Sequence, residues 1–214
     1  MLMKMFRTLL IIGDSFYLSK VATKVSQDRI IFAGVEFMGE SAKILNPKKR
    51  VFMPDMNADC PMAHMADKDE ILALREKYDD LAVVCYINST AELKKYSDVC
   101  VTSSNAVKIV KNLPNKNIFF IPDRNMGSYV AKQCPDKNFI FNNGCCPRHV
   151  VITKDMVLKA KELHPEARFA AHPECTEDVL AFADYVGSTS GIIDYVVDTD
   201  ADEYIIGTVD GVFN

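Results

Sequence analysis

The feature that most constrains this chain is an internal repeat. An apolar run that ends in a small polar turn and opens a helix occurs at Gly13-Asp14-Ser15, Thr102-Ser103-Ser104 and Gly187-Ser188-Thr189, at intervals of 89 and 85 residues. A second landmark follows each turn: Ile30-Ile31-Phe32 before Gly34-Val35-Glu36, Ile118-Phe119-Phe120 before Pro122-Asp123-Arg124, and Tyr204-Ile205-Ile206 before Gly207-Thr208, at intervals of 88 and 86 residues. A third landmark, a proline-lysine turn followed by a strand-like run and a cysteine, spans Pro47 to Cys60 and again Pro135 to Cys146, with the cysteines 86 residues apart. Independent landmarks at one period mean related units rather than one continuous sheet.

Within each period, short apolar runs alternate with segments of helical spacing, the pattern of an α/β protein built from parallel strands. Strands are predicted over Ile30–Ala33, Arg50–Met53, Leu81–Ile87, Val99–Thr102, Asn117–Pro122, Asn138–Phe141, Arg168–Ala171, Tyr185–Gly187 and Tyr204–Gly207. Helices are predicted over Phe16–Val25, Glu36–Ile44, Ala91–Lys95, Ala106–Asn112, Gly127–Lys132, Lys154–Leu163 and Glu177–Phe182. The expected architecture is three pseudo-repeated α/β/α units, at 1–70, 71–160 and 161–214, with small parallel sheets around a central interfacial site. Ligands bind where the loops after such strands converge. Three full copies need roughly 260 residues at this period, so the first unit is expected to lack its opening strand and the third its C-terminal part.

Composition narrows the function classes. With 25 basic against 29 acidic side chains and a formal charge of -4, the chain has no general attraction for nucleic acid or anionic membrane, and an anionic ligand needs a local site. No run approaches the ~18 apolar residues of a membrane-spanning helix, and Phe6–Ile12 is expected to be a buried strand or helix end. The seven cysteines are odd in number and irregularly spaced, which fits a reduced, cytoplasmic chain using some thiols as ligands or nucleophiles.

Three polar turns at helix starts are N-caps, anion seats, or both. Their side-chain oxygens satisfy orphan backbone N–H groups, while exposed N–H groups and the helix dipole favour carboxylate or phosphate. Cys60 and Cys146 occupy the same repeat position, each in a loop before a proline. Separate thiolates around a threefold point suit a metal cluster with one open position. Cys85 and Cys100 fall in apolar strand patterns and are expected in the core, whereas Cys134, Cys145 and Cys175 have no assignment. His172-Pro173-Glu174 follows a strand, so a general acid and base could leave its carboxyl end together. Tyr86 and Asn88 share one side of the matching strand end in the second unit. His64 and His164 carry no comparable setting.

These residues resemble the quinolinate synthases. The resemblance runs from about Gly13 to Gly211 and rests on GDSFYLSK at 13–20, GVEFMGESAKILNP at 34–47, DCPMA at 59–63, YINSTAELKKYSDVCVTSSNAVKIV at 86–110, PDRNMG at 122–127, GCCPRH at 144–149, HPEC at 172–175 and GSTSGIIDYV at 187–196. It implies a triangular fold of three α/β/α units and an interfacial 4Fe-4S cluster held by three cysteines, whose free iron is a Lewis acid. It implies a transferase of NAD biosynthesis that condenses iminoaspartate with dihydroxyacetone phosphate to quinolinate, with possible transient coupling to an iminoaspartate-producing oxidase or dehydrogenase. Carried over by motif, Cys60 and Cys146 are cluster ligands, and Tyr86, His172 and Glu174 are catalytic. Those three, with Asn88, Ser103, Ser188 and Thr189, bind substrate.

Relative to the family pattern the chain is expected to be truncated at both ends, and impaired for that reason. No Ala-His-x-Tyr-Gln type block precedes Gly13, the period places a third cysteine past Asn214, and Val209 stands where the family's Gly-Thr block has Glu. Two other readings use the same residues. One is a degenerate, non-catalytic module that binds a dicarboxylate or phosphate. The other is a zinc or mononuclear metal protein built on Cys60, Cys146 and His149.

Overall fold

A computed structural model of the protein describes residues 11–209. The first unit contains α1 (Ser15–Lys24), β1 (Arg29–Ile31), α2 (Glu36–Leu45) and β2 (Arg50–Phe52), followed by a 3-10 turn at Pro61–His64. The second contains α3 (Lys68–Lys77), β3 (Leu81–Tyr86), α4 (Ala91–Lys95), β4 (Val99–Val101), α5 (Ala106–Asn112), β5 (Asn117–Ile121), α6 (Arg124–Gln133) and β6 (Asn138–Phe141). The third contains α7 (Lys154–Leu163), β7 (Arg168–Ala171), α8 (Glu177–Leu180), β8 (Tyr185–Val186), α9 (Thr189–Asp198) and β9 (Tyr204–Gly207).

The strands form separate sheets of order β1-β2, β4-β3-β5-β6 and β8-β7-β9, and every pair is parallel. The third sheet repeats the order of the first three strands of the second, and β1-β2 repeats β5-β6. The repeat extends to individual hydrogen bonds. Lys49 Nζ donates to the carbonyls of Ala22 in the last turn of α1 and Val25 just past it, and Lys137 Nζ donates to those of Leu113 and Asn115 just past α5. Each ammonium, just before its own strand, meets the negative end of the helix that precedes the neighbouring strand. Likewise Asp98 accepts the Val83 N–H of β3 at 2.7 Å, and Asp184 accepts the Phe169 N–H of β7 at 2.8 Å.

The largest sheet is a continuous apolar layer. All of β3 is buried, as a parallel strand covered on both faces should be. Ala82, Val84, Phe120 and Met126 pack on one side with α5 and α6, and Val83, Cys85, Phe119 and Ile121 on the other with α3 and α4. Gly127 permits the approach of α6, since a Cβ there would lie 3.0 Å from the Phe120 ring.

The nine predicted strands and seven predicted helices are all present with ends shifted by at most three residues. Two helices are additional, α3 and α9. In α3 only Ile71 is buried, so its apolar stripe is too thin to show as helical periodicity. Cys100 corrects an expectation. Cys85 is buried, but Cys100, its partner in register, is exposed because β4 is an edge strand with no neighbour on its outer side. The expected buried element at Phe6–Ile12 lies mostly outside the described residues, and Ile12, within them, is 79% exposed.

Truncating Phe120, which is fully buried, removes a ring from the centre of this layer. Phe120→Ala should lower stability by about 3–5 kcal/mol in urea denaturation. A loss below about 1 kcal/mol would contradict this account of the core.

Candidate active site

Parallel strands bring their carboxyl ends to one edge, so the residues following them are presented together. In the second unit β3 ends at Tyr86 and continues into Ile87-Asn88, while β4 ends at Val101, opposite Tyr86, and continues into Thr102-Ser103-Ser104. In the third unit β7 ends at Ala171 and runs into His172-Pro173-Glu174, while β8 ends at Val186 and runs into Gly187-Ser188-Thr189.

These ends meet. A cavity of about 120 Å³ is lined by Asp14 and Ser15 of the first unit, Tyr86, Asn88 and Ser103 of the second, and His172, Ser188 and Thr189 of the third. Two of the three turns also cap their helices, whereas α5, after Thr102-Ser103-Ser104, has Asn105 at its N-cap with no side-chain cap bond. Asp14 Oδ1 accepts the Tyr17 N–H at 2.8 Å and Ser188 Oγ accepts the Gly191 N–H at 3.2 Å. A second cavity of about 710 Å³ shares Tyr86, Asn88, His172 and Thr189 and adds Cys60, Cys146, His149, Glu174 and Thr208. All nine site residues expected from sequence therefore line one of two adjoining cavities.

The polar centre is Glu174, which is only 3% exposed. Its Oε2 lies 2.7 Å from His149 Nδ1 and 3.9 Å from His172 Nδ1, while Oε1 has no hydrogen-bond partner. Burial opposes ionisation of this carboxyl, but the His149 hydrogen bond and the charges of both imidazoles outweigh it and lower the pKa to about 2. Burial pushes His172 the other way, down to about 4, so its imidazole is neutral. His172 Nδ1 accepts the Glu174 backbone N–H at 3.3 Å, which places the ring proton on Nε2.

His149 ties the cluster together. Its Nδ1 is also 3.1 Å from Cys146 Sγ, its Nε2 is 3.1 Å from Thr208 Oγ1, and its ring stacks on His172 at 4.9 Å. Burial and the Glu174 charge raise the Cys146 thiol to about 12, and burial raises Cys60. Without a cation these thiols hold their protons; metal binding would release them. Tyr86 is raised well above the ordinary phenol range by burial and by the Glu174 charge.

Donor atoms of Cys146, His149 and Glu174 lie within 4.8 Å of one another, and Cys60 is not in that group. From sequence, His149 has a role only in the mononuclear-metal reading, although its position three residues after Cys146 is a ligand-like spacing. Asp123 carries no signal in the sequence, because an aspartate before a helix looks like an ordinary cap. It is fully buried, and its two oxygens accept the N–H groups of Met126 and Cys146 at 2.7 and 2.8 Å. Burial, and then the Glu174 charge, raise it to about 7 against those two bonds.

Residues 4–214 match the family model described as quinolinate synthetase A protein. Among curated relatives, the quinolinate synthase of Fusobacterium nucleatum is 59% identical over 201 residues, covering 94% of this chain and 67% of the relative. That of Caldicellulosiruptor saccharolyticus is 54% identical over 94% of this chain and 66% of the relative, and that of Clostridioides difficile is 47% identical over 95% and 67%. The chain spans about two thirds of the length of these relatives.

The His172 shift has a definite sign. An unfolded imidazole near 6.5 binds a proton that the folded one refuses until about 4, so its contribution is full above pH 6.5 and is lost as pH falls through that window. His172→Asn should flatten the acid limb of stability by up to about 3 kcal/mol between those pH values. Urea midpoints measured across pH check this, and an unchanged limb would contradict a buried neutral His172.

Proposed function

The chain belongs to the quinolinate synthase family, and on that premise we propose that it builds the site at which iminoaspartate and dihydroxyacetone phosphate condense to quinolinate, with loss of phosphate and water. The observation that carries this reading is the meeting of residues from all three units, strand-end residues of the second and third among them, at one cavity beside two cysteines. A substrate pair bearing two carboxylates and a phosphate needs several anion-binding points, and Ser103, Ser188, Thr189 and the Asn88 amide supply donors from separate strand ends.

The condensation requires protons to leave carbon and to reach departing oxygens. Neutral His172, whose Nδ1 accepts the Glu174 N–H, presents its Nε2–H as a hydrogen-bond donor to a substrate oxygen. The unpartnered Oε1 of Glu174 can accept from a substrate N–H or O–H, which would remove the cost of leaving it bare. Tyr86, with its pKa raised, stays a phenol and donates.

Cys60 and Cys146 are the residues that would hold the 4Fe-4S cluster. The fit is chemical: two thiols that open on one cavity, near an orphaned carboxylate oxygen and an imidazole, form a donor set suited to a metal group. When bound, the cluster supplies a Lewis acid that polarises a substrate oxygen. A mononuclear metal is the second reading, favoured by the convergence of Cys146, His149 and Glu174.

The proposed setting is the cytoplasm, where reduced cysteines persist, with iminoaspartate delivered by an iminoaspartate-producing oxidase or dehydrogenase. Among the described residues no helix is long and apolar enough to cross a membrane.

Anaerobic reconstitution with ferrous iron and sulfide should give the broad absorption of an iron-sulfur cluster, lost in Cys60→Ala and Cys146→Ala and retained in Cys100→Ala. One iron without sulfide, insensitive to Cys60→Ala, would favour the mononuclear reading. Tight dicarboxylate binding with no iron uptake would identify a binding module instead.

A further inference from the structure

Cys60 and Cys146 lie in different units and no strand pairing joins their loops, so something else must set their separation. We infer that Asn142, seated against Gly144 and Asp123, is a positioning residue that bolts the Cys60 loop to the Cys146 loop. The inference rests on the reading of those cysteines as metal ligands.

Asn142 follows β6 and is 3% exposed. Its single amide nitrogen donates to Met65 O at 2.9 Å and to Pro122 O at 2.6 Å, using both N–H bonds. The first acceptor belongs to the Cys60 loop. Cys60 opens the turn at Pro61–His64, where Ala63 N–H bonds to Cys60 O at 2.9 Å and Met65 N–H to Met62 O at 3.0 Å, so Met65 and Cys60 are ends of one hydrogen-bonded turn. The second acceptor adjoins Asp123, whose Oδ2 holds the Cys146 N–H at 2.8 Å.

Gly144 lies where the parts touch. Its carbonyl accepts the Arg124 N–H at 2.7 Å, and a Cβ on it would lie 2.5 Å from Pro122 O, 2.7 Å from Asn142 Nδ2 and 2.7 Å from Met65 Cβ. Two of those neighbours are backbone or rigid Cβ atoms that cannot swing away. A chain of Met65, Asn142, Pro122, Asp123 and Cys146 thus runs from one thiol loop to the other through buried hydrogen bonds. An apolar side chain at 142 would leave two carbonyls unpaired and remove the only side-chain link in that chain between Met65 and Pro122.

Hydrogen exchange read by mass spectrometry on the metal-free chain tests the bolt. Asn142→Leu keeps the branched shape and removes both donors. Exchange should rise about tenfold in segments 60–65 and 144–149 together, with β3 and β5 keeping their protection. Gly144→Ala, which leaves Asn142 in place, should loosen the same two segments. Asn138→Ala, which removes an amide bond of 2.7 Å to Asn117 at the other end of β6, should loosen neither. After iron-sulfide reconstitution and one-electron reduction with dithionite to the paramagnetic state, the Asn142→Leu protein should show shifted electron paramagnetic resonance g values, and Asn138→Ala wild-type ones.

Loosening of one segment alone, equal loosening of β3 and β5, or an unshifted spectrum beside two loosened segments would each overturn the inference. Failure of the wild-type chain to take up iron would instead remove the ligand reading. The exchange result still decides whether Asn142 joins the loops.

Discussion

The structure depends on strand direction. Because every pair in the three sheets is parallel, each unit delivers its strand carboxyl ends, and the loops that follow them, to a single edge. Loops are where polar side chains can be presented without breaking a sheet, so each unit has one chemically useful edge. The edges of the second and third units meeting at a centre explain how Tyr86 and His172, far apart in the chain, line one cavity. The repeated caps and carboxylate-to-strand bonds matter for the same reason, since they hold equivalent edges in equivalent places.

At that centre the protein buries charge that water would otherwise solvate. Glu174 is tolerable there because His149 hydrogen-bonds one oxygen and two imidazoles face it. Its remaining bare oxygen marks a place where the fold alone leaves a polar atom unsatisfied. Buried atoms of that kind are uncommon in proteins and are frequent where a ligand completes the set. The thiols show the same incompleteness from the other side, since burial keeps them protonated until a cation displaces the proton.

Much of this was legible in the sequence, for physical reasons. Short buried parallel strands are continuous apolar runs, so Leu81–Tyr86 and Asn117–Ile121 announce themselves, and the repeat marks the equivalent strands of the next unit. Residues at strand ends, such as Asn88 and His172-Pro173-Glu174, could be placed because strand alternation and chain direction decide where they emerge. What stayed hidden depends on contacts between distant segments. Helix α3 buries one residue and leaves little periodic signal. The exposure of Cys100 follows from β4 being an edge, a property of sheet order rather than of local pattern. Asn142 sits in a polar run, Asn142-Asn143-Gly144, that reads as an ordinary turn, and only the fold shows its amide reaching back 77 residues to Met65.

The central claim is that the three units form one binding site at their shared edge. Amide NMR of the isotope-labelled chain during titration with quinolinate tests it most directly. The account predicts that Ser15, Asn88, Ser103, His172 and Ser188 shift together along one binding curve. Shifts confined to one unit, or separate curves for different units, would contradict it.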